Sequence, residues 1–271
     1  MLESQHQLST QSSRPVNERV QVYVRVRPIF RNEQIEDTQA IQAIKNLQGQ
    51  SPNKVNAYFD APDEDLNHED SNRTGCIQFT PNQSQMLSLD IRPKEARKHD
   101  FVFRSIFRPD SSQLEVFEKT ALPLVMHVLN GYNGTYFVYG QTGTGKTHSM
   151  GVLSQINEQS KGIVPQSLEF IFSSLEELQS ENLISDWKVH ISFFQIYLEQ
   201  VSDLLNPQAQ KMSIREELGE VFVGDLVEVP VETLDQAMNI VNAGLSYRKM
   251  ASQAMNDTSS RSHTILHIDV Y

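Results

Sequence analysis

Gly140-Gln141-Thr142-Gly143-Thr144-Gly145-Lys146-Thr147 fits the pattern G-x-x-x-x-G-K-[ST] at every position. That pattern has structural meaning only between an apolar strand and a helix that opens at its lysine. The short apolar run Thr135 to Tyr139 supplies the strand, and a helix is expected to start at Lys146. The residue types follow from the chemistry. Glycines let the backbone curl so that successive N–H groups face phosphate oxygens, and the helix adds its positive dipole end. Lys146 is placed to reach β- and γ-phosphates, and the Thr147 hydroxyl to ligate magnesium. The chain is therefore read as holding a nucleotide by its phosphates.

Elements on either side alternate between strand and helix. Val20, Val22, Val24 and Val26 alternate with polar or aromatic residues, a strand that Pro28 stops, and a strand pair is expected within 76–104. Ser111 or Ser112 caps a helix carrying Leu114, Phe117, Ala121, Leu124, Val125, Val128 and Leu129, which ends at Gly131 and which Pro123 kinks or splits. A helix over about 164–178, a strand over 189–197 and short strands between 212 and 231 follow. Thr233 with Gln236 forms a capping-box pattern opening a helix to about Ser252, and Leu266, Ile268 and Val270 mark a last strand. The class is α/β, with a mixed or mostly parallel central sheet covered by helices on both faces.

The 271 residues carry 23 basic and 34 acidic side chains, a net charge of −11, which argues against a general nucleic-acid binder and against adhesion to an anionic membrane. Cys76 is the only cysteine, so no intrachain disulfide exists and a reducing, intracellular setting is expected. No run approaches 18 apolar residues, so no membrane span is expected. Residues 1–17, rich in Gln and Ser, read as a disordered extension before a domain over 18–271.

The phosphate loop alone does not choose among GTPases, kinases, motors and other ATPases. A guanine-reading N-K-x-D is absent, Asn53-Lys54-Val55-Asn56 being the nearest approach. Further segments are more specific. Tyr139 to His148 and the preceding Gly131-Tyr132-Asn133-Gly134-Thr135, the run Asn256-Asp257-Thr258-Ser259-Ser260-Arg261-Ser262-His263, Arg25-Val26-Arg27-Pro28, and Phe193 to Tyr197 followed by Asp203-Leu204-Leu205 occur in one order. Together they resemble a kinesin motor domain over roughly 20–271, with Gln195 where the family usually has Glu. The resemblance implies a P-loop NTPase with the kinesin-type central mixed sheet, binding ATP and Mg2+ and acting on microtubules in the cytoplasmic cytoskeleton.

By that resemblance Arg25, Arg27 and Pro28 line the adenine side, together with His148 after the loop Gly140, Gln141, Thr142, Gly143, Thr144, Gly145, Lys146 and Thr147. It also makes Asn256 to His263 switch I, with Ser259 and Ser260 at the γ-phosphate, Ser260 joining Thr147 at the metal, and Arg261 pairing with an acid of switch II. The catalytic set is then Lys146, Ser259, Ser260 and Arg261. Read without the resemblance, the two arginines fit a solvated strand face, His148 a structural helix residue, and Thr258-Ser259-Ser260 a turn.

No D-x-x-G occurs in the 271 residues, so the family's switch II motif is missing. The expectation is an N-terminal portion of a motor, incomplete at its C-terminal side, inactive by itself and poorly soluble or partly unfolded. The alternatives are a nucleotide-binding, non-hydrolysing microtubule-associated protein and an unrelated P-loop enzyme. Subfamily, direction, cargo and oligomeric state have no reading in these residues.

Asp60, Asp63, Glu64, Asp65, Glu69 and Asp70 fall within eleven residues that contain no Lys or Arg. Such a run repels itself and cannot be buried unpaired, so it is expected as an exposed loop remote from the phosphates. Deleting residues 60–70 is expected to leave nucleotide affinity within about twofold, about 0.4 kcal/mol, in a fluorescence titration, and a larger loss would place the loop at the site.

Overall fold

The computed structural model describes residues 20–28, 73–74, 77–79, 85–92, 97–151, 161–208, 212–217, 219–254 and 262–271. The 1–17 extension, the acidic run 60–70 and the segment Asn256 to Arg261 lie outside the described residues. The chain divides into two compact units, Met1–Pro109 and Asp110–Tyr271.

In the first unit, β1 (Tyr23–Arg25) pairs in parallel with β6 (Ser105–Phe107). The Val26 N–H donates to the Phe107 carbonyl at 2.9 Å and carries the ladder one residue further. Val26, Phe79 and Ile106 are buried together, with Val24 and Phe103 against them, whereas Val20 and Val22 are exposed, so of the four alternating valines Val24 and Val26 join this core. The Arg108 guanidinium sits 4.8 Å from the centre of the Phe79 ring and covers this small core. β2 (Arg73–Thr74), β3 (Ile77–Phe79), β4 (Met86–Arg92) and β5 (Arg97–Val102) form an antiparallel sheet in that order. Its register aligns Phe79, Leu87 and Phe101 in one cross-strand row, so the three alternating runs of 76–104 are three neighbouring strands rather than a pair.

The second unit opens with α1 (Gln113–Thr120), capped by Ser112, whose Oγ accepts from the Glu115 N–H at 3.0 Å. Pro123 splits the run as its chemistry requires. It stands in the first turn of α2 (Leu122–Leu129), where a missing N–H costs nothing, and α1 stops at Thr120. After α3 (Lys146–Met150) comes α4 (Ile163–Ser180), the longest apolar face in this unit, burying Val164, Leu168, Ile171, Phe172 and Leu175. β7 (Val189–Tyr197) is the central strand. β12 (His263–Val270) lies antiparallel along it from Val189 to Ile196, while β11 (Val229–Val231) and β8 (Gln200–Asp203) pair with its two ends. β9 (Ile214–Glu217) and β10 (Glu220–Val223) form a separate hairpin.

α5 (Leu234–Ala254) begins as expected at Thr233, whose Oγ1 accepts from the Gln236 N–H at 3.2 Å. The Gln236 side chain returns the bond to the N–H of Glu232, at 2.8 Å, rather than to that of Thr233. Val189 and Ile191 of β7, Leu266, Ile268 and Val270 of β12, and Ala237 and Val241 of α5 then share one core with α4. Asp203, 2% exposed, ends β8 by accepting from the N–H groups of Leu205 (2.7 Å), Asn206 (3.2 Å) and Val227 (3.0 Å), which satisfies a buried carboxylate wholly with backbone.

Two expectations need correction. The described strands do not form one mixed or mostly parallel sheet but four sheets, in which β1 with β6 is the parallel pair among the described residues. In the second unit the cause is local: β7 and β8 are joined by Leu198 and Glu199 at φ 47° and 61°, a two-residue reversal that forces antiparallel pairing. Thr135 to Tyr139 is not a strand either. Its side chains keep the period of two, with Tyr136 and Val138 half-buried and Phe137 and Tyr139 exposed, but no described strand pairs with its backbone. Alternation specifies which way side chains face; a ladder also requires a neighbour.

Gly244 of α5 lies over the Phe193 ring so closely that an added Cβ would overlap the ring carbons. Two effects oppose each other at this position. Alanine gains about 1 kcal/mol of helix propensity, whereas forcing a methyl group into a filled core costs about 1–3 kcal/mol. Gly244→Ala is therefore expected to lower stability by about 1 kcal/mol, read as a lower denaturation midpoint at unchanged slope, and a midpoint at or above wild type would contradict the packing.

Candidate nucleotide site

The loop Gly140 to Thr147 is anchored before it begins. α2 ends at Asn130, and Gly131, at φ 86°, turns the chain back over the helix. Gly134 lies against Leu124, where a Cβ would come within 2.7 Å of its methyl carbon. The Tyr136 hydroxyl meets Thr120 Oγ1 at 3.0 Å on α1. The approach Gly131 to Thr135, noted in the sequence, is thus the fastening of the loop onto the first helix pair of this unit.

Within the loop the curl is tight. Thr144 turns back on Gln141, its N–H and its hydroxyl both donating to that carbonyl, at 3.3 and 2.8 Å. Gly143 and Gly145 take φ values of 85° and 93°, the left-handed region that costs a side-chain-bearing residue free energy. Gly140 faces Thr144 Oγ1, which an added Cβ would approach to 2.6 Å. The glycines are therefore used for curvature at two positions and for close approach at a third. Gln141, Thr142, Gly143 and Thr144 are exposed, so the curl opens to solvent.

Lys146 starts α3 and points back into the curl. Its Nζ donates to the carbonyls of Gly140 at 2.7 Å and Gln141 at 2.9 Å. An ammonium has three donors, so one remains for an incoming phosphate oxygen while two hold the charge at the mouth of the loop. Thr147 and His148 are exposed on the same turn. A cradle that only glycine can form, a cation held in it and an exposed hydroxyl next in sequence fit a magnesium-bound nucleotide. Thr147 would contribute the oxygen ligand and Lys146 the contact to phosphate. Among the described residues no group of three His, Cys, Asp or Glu is placed to hold a metal ion.

The remaining expected residues are distributed differently. Arg25 in β1 and Arg27 beyond it are half-buried, Pro28 is exposed, and all three belong to the first unit, whereas Gly140 to His148 belong to the second. Ser259, Ser260 and Arg261 lie outside the described residues. The two ends of that segment are described: α5 closes at Ala254, and Ser262 leads into β12, whose first residue, His263, is exposed opposite Ile196. Arg248 of α5 reaches Ser262 Oγ at 3.5 Å, and burial lowers its guanidinium pKa from the usual value.

Sequence reasoning missed two buried amides behind the loop, Gln113 and Gln166. The Gln113 Nε2 donates to the His148 carbonyl at 2.6 Å, and the Gln166 Nε2 reaches the Lys161 carbonyl at 2.8 Å and those of Gly162 and Gln113 at 3.3 Å. A signal was present. Gln113 precedes Val116, Phe117 and Thr120 at helical spacing, an amide on the face that turns inward.

Known proteins bear on this geometry directly. The sequence model of the kinesin motor domain matches residues 25–271. The kinesin heavy chain of Botryotinia fuckeliana is 39% identical over 171 residues, covering 63% of this chain and 19% of its own length. Kinesin-like protein KIF27 of Mus musculus is 34% identical over 204 residues, covering 73% of this chain and 14% of its own. A solved structure of a fast kinesin superposes with a TM-score of 0.71 at 27% identity, over 93% of this chain and 59% of that one. This chain thus spans about a fifth or less of the length of these curated relatives and under two thirds of the solved motor. The P-loop, the α/β fold and these matches together mean that the chain belongs to the kinesin motor domain family.

Proposed function

We propose that these residues form the nucleotide-binding part of an ATP-driven microtubule motor. The observation that carries the reading is the closed phosphate loop with Lys146 held in its mouth, in a chain of this family. The loop backbone and Lys146 bind the phosphates, and Thr147 offers its hydroxyl to the metal. Thr147 and Ser260 would hold magnesium, which would supply positive charge against the phosphates. Arg25, Arg27, Pro28 and His148 are assigned to the adenosine end, and Ser259, Ser260 and Arg261 to the γ-phosphate. The nucleotide is MgATP, the filament partner is the microtubule and the setting is the cytoskeleton. No helix among the described residues is long and apolar enough to cross a membrane.

Phosphoryl transfer gains nearly all of its rate from positioning and preorganised charge. A chain without D-x-x-G lacks the glycine N–H and the acid that, by the family pattern, complete the γ-phosphate site opposite Arg261. The hydrolytic reading therefore requires such a segment in addition to these residues.

Lys146→Ala is expected to weaken ATP affinity by at least about 100-fold, because it removes the point charge on the terminal phosphates, about 3 kcal/mol for a charge-assisted contact. Titration with a fluorescent nucleotide checks this, and unchanged affinity would remove the loop from the site. Thr147→Ala should instead raise the magnesium concentration needed for half-maximal binding. Phosphate release separates the wider readings: the whole protein is expected to be accelerated by microtubules and residues 1–271 alone not to be. Microtubule stimulation of residues 1–271 alone would overturn the role given to the D-x-x-G segment, and a whole protein that binds ATP without hydrolysing it would be a binding module.

A further inference from the structure

α3 carries Lys146, Thr147 and His148, yet it is five residues long and none of its side chains is buried. A helix that short has little stability of its own, and its apolar contact with the core is the partly buried Met150. Two other features fix its place. Its C-terminal cap, Gly151, is packed backbone to backbone against Gly162, so closely that a Cβ on either glycine would overlap the other. Its last turn is gripped by the Gln113 amide, which donates to the His148 carbonyl at 2.6 Å and passes the His148 Nδ1 at 3.5 Å.

Gln113 is 5% exposed and sits in the first turn of α1, a helix anchored by its Ser112 cap and by buried Val116 and Phe117. Its amide is thus a well-anchored donor in a partly buried place, and it shares the His148 carbonyl with the Gly151 N–H, which donates to it at 3.1 Å, so that the helix cap and Gln113 meet on one acceptor. Gln166 braces the same corner from α4 through the Gln113 main-chain carbonyl, and its amide donates to Gln113, Lys161 and Gly162, none of them a residue of α3.

We propose that Gln113 is a positioning residue for the nucleotide site: its amide fixes α3 from behind, and through α3 it sets the phosphate and magnesium groups at Lys146 and Thr147. The inference rests on the nucleotide-binding reading above. It assigns the two buried glutamines different roles, Gln113 to ligand geometry and Gln166 to the fold of the α4 entrance.

The test compares Gln113→Met with Gln166→Met in the whole protein, since methionine keeps the side-chain length and removes the donor. Binding of ATP and of magnesium is measured by fluorescent-nucleotide titration, and folding by thermal melting. Gln113→Met is expected to weaken ATP affinity about tenfold and to raise the magnesium requirement, and Gln166→Met to lower the melting temperature with ATP affinity within about twofold of wild type. The proposal is overturned if Gln113→Met binds ATP as wild type does, if both variants lose affinity equally, or if Gln113→Met does not fold while Gln166→Met does, which would make Gln113 a fold determinant. A wild-type protein that binds no ATP would remove the nucleotide reading itself, a result separate from any difference between the two variants.

Discussion

On the proposed reading Gly140 to Thr147 is a phosphate cradle, which must leave backbone N–H groups free for its ligand, and that constraint governs the second unit. A loop whose donors are reserved cannot be held by a ladder or a long helix of its own. It has to be fastened at its ends and braced by side chains. Gly140 to Thr147 meets the requirement on both sides: Gly134 and Tyr136 tie the entering chain to α2 and α1, and Gly151 and Gln113 hold the departing turn. The internal bonds the loop does make use the Thr144 hydroxyl and the Lys146 ammonium, with the Thr144 N–H beside them, against the carbonyls of Gly140 and Gln141. Carbonyls are thereby drawn into the curl's own bonding, which suits a site that must present donors to an anion.

What the sequence made legible follows the range of the interactions. The Ser112 cap, the break at Pro123, the Thr233 cap and β7 over Val189–Tyr197 are each decided within a few residues, and each is found where the pattern puts it. The phosphate loop belongs to the same class, because its glycines, lysine and threonine act within one turn of chain. Gln113 escaped notice because its partner is 35 residues away, and an amide at a buried helical position signals only that some partner exists. Arg25 and Arg27 could be placed on a strand, but which ligand group they face is a long-range property of the fold.

Sheet organisation was misread for a related reason. Interleaved strands and helices favour parallel crossovers, yet direction is set by the connection actually used. The turn at Leu198 and Glu199 holds two side-chain-bearing residues at positive φ, without the Asn-Gly or Asp-Gly pair that announces such a turn. Once β8 folds back on β7, the remaining edge of β7 is open along its length, and β12 takes it antiparallel from His263↔Ile196 to Val270↔Val189.

That ladder bears on the segment between α5 and β12. Ser262 opens a strand whose eight residues are all registered on β7, while α5 is set on the same sheet by Ala237 and Val241, with Gly244 against Phe193. Both ends of the intervening residues are therefore fixed to one core. Arg248, reaching across to Ser262, adds a charge at the junction. Burial lowers the pKa of that guanidinium, but a group that starts so far above neutrality stays protonated in ordinary solution. The tie between α5 and the start of β12 is accordingly insensitive to pH near neutrality.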